Sequence, residues 1–333
     1  MFNLSSVSKF SVAALVLAAG TQTAFAQDPL ASWNDSASKT NIISFVEDVT
    51  DESSANFVPA EARIATFDND GTLWSEQPLY FQLAFALDRI KEMAPDHPEW
   101  ADMQPFKGIL EGDMEAIKES GHEGLLKVIA ASHSGMTEAE FKKNVEDWNA
   151  TAVHPKTEQP YNQMIYQPML EVLDYLRAND FKTYIVSGGG VQFMRAMNLS
   201  DYGIPPEQII GSSITTELEV RDGVPVLVRQ PDMFFVDDKE GKPMAISRII
   251  GRRPIAAFGN SDGDLQMLQW TDAGPGETLQ VYIHHTDADR EWAYDRESSI
   301  GKFDEGLDIA TDLDWTIVDM KSDWSVIYPF DAN

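Results

Sequence analysis

The stretch FDNDGTLW, residues 67–74, decides how this chain is read. Two carboxylates, Asp68 and Asp70, stand one residue apart. The apolar, β-like run ARIATF (62–67) leads into them, and Gly71 and Thr72 follow. A carboxylate at the end of a buried strand is costly unless a cation, a substrate or hydrogen bonds compensate it. A calcium loop of the helix–loop–helix kind fails on register. Aligning Asp68, Asp70 and Gly71 with its third, fifth and sixth positions puts Thr66 first and Gln77 twelfth, where acids are required.

Working outward, the pattern around this stretch is that of an α/β protein. TNIISFVEDV (40–49) reads as a short amphipathic helix. From LYFQLAFALDRIKEMA (79–94) to FKKNVEDWNA (141–150) apolar residues recur at helical spacing with few strand signals. Strands and helices then alternate: the helix QPMLEVLDYLRAND (167–180), the strand FKTYIVSGGG (181–190), the helix VQFMRAMN (191–198) and the short strand EQIIGSS (207–213). ITTELEVRDGVPVLVRQ (214–230) reads as a hairpin turning at Asp222-Gly223. A helix at KPMAISRIIG, a strand at RPIAAFGNSDGD, a helix at DLQMLQW and strands at LQVYIHH and DWTIVDM complete the series. Alternation of this kind predicts βαβ units, hence a Rossmann-like, mostly parallel sheet with helices on both faces. The expected division is a core of residues 61–77 and 166–333, a mainly α-helical cap of residues 78–165 inserted after the first core strand, and an N-terminal segment of residues 27–60.

The first residues read as a secretory signal peptide: Lys9, the apolar SVAALVLAAG (11–20), then Ala24-Phe25-Ala26 with cleavage expected after Ala26. The mature protein is thus expected to be periplasmic or secreted, without a membrane partner once the signal is removed. The 333 residues include no cysteine, which excludes disulfides, thiolate metal sites and a thiol nucleophile. A net charge of −29 disfavours nucleic acid as a partner, because a polyanion would be repelled.

In a parallel sheet, ligands bind beyond the carboxyl ends of the strands. Three predicted strands end there in reactive-looking residues: Asp68 and Asp70, then Ser187-Gly188-Gly189-Gly190, then Gly259-Asn260-Ser261-Asp262-Gly263-Asp264. If the strands are neighbours, the three turns share one crevice. An ionised Asp can attack phosphorus, and a second acid can protonate the leaving oxygen. A hydroxyl and glycine amides can hold phosphoryl oxygens, and a lysine such as Lys242 can neutralise charge. Mg²⁺ suits such an oxygen-donor set.

Taken in order, FDNDGTLW, IVSGGG, Lys242 in GKPMAI, and FGNSDGDLQML resemble the four motifs of the haloacid dehalogenase (HAD) superfamily. The helical insert resembles the first-position cap of its phosphoserine-phosphatase-like members. The resemblance extends over about residues 60–290 and implies an aspartyl-phosphate intermediate and a Mg²⁺ requirement. It implies that Asp68 is nucleophile and metal ligand, and that Asp70 is general acid/base and a metal ligand through its carbonyl. Ser187 and Gly188 would bind phosphate, and Lys242 would stabilise charge. The fourth motif departs from its usual Gly-Asp start by carrying Asn260. The metal ligand there is expected to be Asn260 or Asp264, with Asp262 as a further candidate.

Other residues leave alternatives open. Arg195 either reaches a phosphate or is structural. His284 and His285 alternate faces along a strand, so a joint metal site is disfavoured. Glu76 and Gln77 lie where caps of this type contact substrate. Tyr80, Phe81, Phe85, Trp100 and Trp148 read as helix core rather than a substrate cage. The expected function is an exported, Mg²⁺-dependent phosphatase acting on a small phosphomonoester, with phosphoserine and phosphocholine-like esters as candidates. A non-catalytic phosphoester-binding protein and a phosphotransferase using the same residues are the competing readings.

Overall fold

The computed structural model describes residues 28–197 and 202–332, so the expected signal peptide lies outside the described residues. Seven strands form one sheet: β1 (Ile64–Phe67), β2 (Lys182–Gly190), β3 (Ile209–Arg221), β4 (Val224–Phe235), β5 (Ala256–Gly259), β6 (Leu279–His284) and β7 (Thr316–Asp319). Their order across the sheet is β4-β3-β2-β1-β5-β6-β7. All neighbours are parallel except the β3–β4 hairpin. The fold is therefore the mostly parallel α/β sheet that the alternating pattern predicts.

β1 lies at the centre, paired with β2 on one side and β5 on the other. Its four residues are all buried. This is why Ile-Ala-Thr-Phe reads as a continuous apolar run rather than an alternating one: both faces are covered. Phe67 sits opposite Phe258 of β5 in register, and the two rings stack with centroids 4.3 Å apart.

Before the sheet stands α1 (Ala37–Thr50), capped by the Ser36 side chain accepting from the Lys39 amide. Between β1 and β2 run α2 (Phe81–Met93), α3 (Phe106–Glu111), α4 (Met114–Glu119), α5 (Gly121–His133), α6 (Glu138–Asn149) and α7 (Gln167–Ala178). The segment from α2 to α5 carries a core of its own, with Leu87, Ile90, Trp100, Phe106, Ile109 and Val128 among its members, whereas Phe141 and Val145 of α6 join the main core. The remaining helices are α8 (Val191–Ala196), α9 (Gly241–Ile249), α10 (Leu265–Asp272), α11 (Glu305–Asp312) and α12 (Met320–Asp323). Among the described residues no helix is long and apolar enough to cross a membrane.

Two differences from the sequence reading matter. EQIIGSS and ITTELEV are one strand, β3, not two elements. Its first residues pair in parallel with β2 and are buried. Past a bulge it leaves the sheet as a ribbon with β4. The ribbon turns at Asp222 (φ 51°) and Gly223 (φ 80°), the positive pair that a two-residue hairpin loop requires. The ribbon also docks on the inserted helices. Gly135 donates to the Arg229 carbonyl, Arg229 donates to the Met136 carbonyl, and Thr137 bridges Val228. That pairing lies between distant segments and has no local signature.

Candidate active site

The carboxyl ends of β2, β1 and β5 are adjacent, and their turns open into one cavity of about 1020 Å³. Asp68, Asp70, Ser187, Gly188, Lys242 and Asp264 all line it. The Asp68 amide continues the β1–β5 ladder by donating to the Phe258 carbonyl at 2.9 Å, which fixes the direction of its side chain. Its carboxylate accepts from Lys242 Nζ at 2.7 Å. Lys242, in the first turn of α9, also donates to Asp264 at 2.6 Å and to the Val186 carbonyl at 2.9 Å. All three donor positions of the ammonium are filled.

Electrostatics follow from this packing. Burial would depress the Lys242 ammonium, but Asp264 and Asp68 outweigh it and hold it well above its ordinary range. Burial, then repulsion from Asp264, pushes Asp68 well above the carboxylate range despite Lys242. Asp70 is raised to about 6, chiefly by burial, against a hydrogen bond from Trp74 Nε1 to its Oδ1 at 2.9 Å. The other oxygen of Asp70 faces the glycine turn: a Cβ on Gly189 would lie 3.4 Å from it. The turn between the two acids depends on Gly71, whose φ is +75°. A Cβ there would fall 2.0 Å from Asn260 Nδ2.

The three candidates of the fourth motif separate cleanly. One oxygen of Asp264 takes Lys242, and the other takes the Asn260 and Ser261 amides at 2.9 and 3.1 Å. Asp264 thus organises the turn and the lysine. Asp262 turns away, its Oδ1 accepting from the Asp304 and Gly306 amides at the start of α11. Asn260 remains. Its Nδ2 donates to Glu76 Oε1 at 2.7 Å and its Oδ1 accepts from Thr72 Oγ1 at 3.2 Å.

Glu76, whose place the sequence leaves open, belongs to the cavity. It is buried, lines the cavity and accepts from both Asn260 and the Tyr294 hydroxyl, the latter at 2.8 Å. Burial pushes its pKa well up, and Asp70 and Asp68 push it further. Four carboxyl groups therefore gather around one ammonium. That imbalance suits a divalent cation. Among the described residues no three acidic or histidine side chains stand ready-made as a metal cluster. A set that would fit is a mixed one: the Asp68 carboxylate, the Asn260 amide oxygen that Glu76 helps to fix and, as the family resemblance implies, the Asp70 main-chain carbonyl.

Ser187 Oγ lies on the cavity and accepts from the Gly189 amide at 3.1 Å, while the Gly190 amide donates to Gln82 Oε1 at 2.7 Å. Gln82 was not anticipated. It joins the glycine turn to His133 at 3.0 Å, and its only sequence signal is a lone amide in an apolar helix face. Ser132 donates to Val128 and so accepts from His133 Nδ1 at 2.7 Å. Burial, then Arg229, lowers His133 to about 3 and keeps it neutral.

Arg195 is structural: it donates to the carbonyls of Pro206 and Ile209. His284 points toward Asp295, and His285 is buried between Glu291 and the Gly71 carbonyl, at 3.2 and 2.8 Å. His285 thus braces the turn that follows Asp70. Gln77 donates to the Ile300 carbonyl. Phe81, Phe85 and Trp100 are core and Trp148 packs against it, whereas Tyr80 lines the cavity.

Comparison with known proteins agrees with this geometry. The model of the haloacid dehalogenase-like hydrolase family matches residues 65–269. No curated protein matches the chain. Among solved structures, a conserved protein of unknown function from Anaerococcus prevotii DSM 20548 is 15% identical, with 78% of this chain and 89% of that one covered at a TM-score of 0.47. A protein of unknown function from Bordetella pertussis Tohama I is 16% identical over 78% and 98%, at 0.46. A phosphoserine phosphohydrolase-like protein from Francisella tularensis is 16% identical over 66% and 87%, at 0.37. These likenesses are too slight to bear on function, and the assignment rests on the family match.

Proposed function

The chain belongs to the haloacid dehalogenase-like hydrolases, and from that premise we propose that it is a phosphatase that hydrolyses small phosphomonoesters. The observation that carries this reading is the buried Asp68 carboxylate on the cavity floor, bonded to Lys242 and sharing the cavity with Asp70 and Ser187. Asp68 would attack phosphorus in line, and its carboxylate would become the acyl phosphate as the ester oxygen leaves. Asp70, raised to about 6, would give its proton to that oxygen. It would then take a proton from the water that attacks the aspartyl phosphate, which restores both acids. Ser187 would orient the phosphoryl oxygens, and Lys242 would hold Asp68 in place and offset the charge that develops.

A magnesium ion held by Asp68, the Asp70 carbonyl and Asn260 would neutralise charge on the transferring group. The signal-like residues 1–26 support a protein that works in the periplasm or outside the cell.

A panel of phosphomonoesters assayed with and without Mg²⁺ tests the reading. The wild type releases phosphate, and Asp68→Asn lowers the rate by about 10⁴- to 10⁶-fold, the range seen when a member of a nucleophilic constellation is removed. Turnover surviving in Asp68→Asn, or absent from the wild type on the whole panel, would overturn it.

A further inference from the structure

Above the charged floor, the cavity changes character. Leu83 of α2, Leu126 and Ile129 of α5, Phe193 of α8, and Ile214 and Phe234 of the β3–β4 ribbon form its walls. Leu126 is 40% exposed and Phe234 69%, so apolar surface faces water at the place where the alcohol part of an ester would lie. Apolar surface left in water next to a reactive centre calls for an apolar occupant.

The charged groups on these walls are paired with one another. Arg229 is buried, forks onto both oxygens of Glu138 at 3.1 Å, donates to the His133 carbonyl at 2.7 Å and stacks over Phe141 at 3.9 Å. His133 is neutral and bonded to Gln82 and Ser132. The acids without a cationic partner, Asp70, Glu76 and Asp238, lie at floor level. Asp238 sits against Gly263, whose Cβ would fall 2.6 Å from its Oδ1. Among the described residues the one cation on the walls, Arg229, has its charge matched within the protein: Nη1 binds the one wall carboxylate, Glu138, and Nε binds the His133 carbonyl.

We propose that this cavity selects phosphomonoesters of bulky apolar alcohols, an alkyl chain or an aromatic ring, over esters of small polar or zwitterionic alcohols. The proposal rests on the phosphatase reading above, and it displaces phosphoserine and phosphocholine-like esters as favoured candidates.

The test measures kcat/KM of the purified protein on n-alkyl phosphates from ethyl to hexyl, where leaving-group chemistry stays nearly constant. The value is expected to rise about threefold per methylene as chain is buried. Hexyl phosphate should exceed phosphoserine and phosphocholine by about tenfold or more. Inhibition by hexylphosphonate and phenylphosphonate, which cannot be hydrolysed, separates a chain from a ring as the better occupant. Leu126→Asp and Phe234→Asp should each lower the hexyl-to-ethyl ratio about tenfold. The ratio is taken on one preparation, so partial misfolding of a variant does not imitate the effect. A flat alkyl series, a lead for phosphoserine or phosphocholine, or an unchanged ratio in both variants would overturn the proposal and leave the phosphatase reading standing. Phosphate release from no ester would overturn both.

Discussion

The floor and the roof of the cavity are built on opposite terms. On the floor, Lys242, Asp68, Asp264, Asn260 and Glu76 form a chain of short hydrogen bonds, each group held by the next. On the roof, apolar side chains from α2, α5 and the hairpin meet with their faces open to water. The floor derives its precision from charge in a dry place, where every misplaced group is costly. The roof derives its selectivity from shape and apolar area, which tolerate change. Substitutions on the floor should therefore cost stability as well as chemistry, and substitutions on the roof should alter preference and little else.

The largest effect should come from Lys242→Met, which leaves Asp68 and Asp264 buried beside each other with no ammonium. A loss of about 3–5 kcal/mol in denaturant unfolding is expected. A loss below about 1 kcal/mol would show that the floor is not the rigid unit described here.

Asp237 comes next. It lies just behind the floor, fully buried, with no hydrogen bond to either carboxylate oxygen among the described residues. Burial, opposed by Lys242, raises it to about 7 from an ordinary 3.8. The folded state thus holds a proton that the unfolded state has lost, and stability from this group is present below pH ~4 and lost as pH rises to ~7. Asp237→Asn removes that dependence. Relative to wild type it should gain up to roughly 4 kcal/mol between pH 4 and pH 8, read from paired unfolding curves. Parallel curves for the two proteins would contradict the assignment.

Glu76→Gln sharpens the comparison at the cation site. Mn²⁺ affinity, followed by the free ion's spin resonance without any turnover, should fall about 10–100-fold, as it does when a ligand's outer partner is lost. Equal affinity would separate Glu76 from the metal. The smallest effect should be on the roof: Leu126→Ala, at an exposed position, is expected to shift stability by no more than about 0.5 kcal/mol. A larger shift would mean that the roof is packed as tightly as the floor.

The same contrast explains what the sequence could disclose. Asp68, Ser187 and Asn260 each follow a short run of buried strand, and three adjacent strands bring them together. Local pattern plus one topological rule is enough to find them. Glu76, Gln82 and His133 act through side-chain contacts across the crevice, and nothing local marks those contacts. Asp264 and Asn260 are four residues apart in one turn, so spacing alone could not separate the residue that holds Lys242 from the one that faces Glu76. The apolar roof joins residues about 80–140 to residues about 214–236, and which faces meet depends on how a ribbon leaves the sheet.

The pairing of that ribbon with residues 135–137 has a mechanical consequence. Two backbone hydrogen bonds at 2.9 Å link the inserted helices to β4, and the Arg229–Glu138 fork stands beside them. Swinging the helices aside to admit a substrate must either rupture this seam or carry the ribbon along. In the second case the joint would lie where the β3–β4 pairing shifts register, opposite Ser213 to Thr216, rather than in the chain segments that enter and leave the insert. The inserted helices and part of the sheet would then move as one lever, flexing where the extra residues of β4 between Arg229 and Phe235 loosen its pairing with β3.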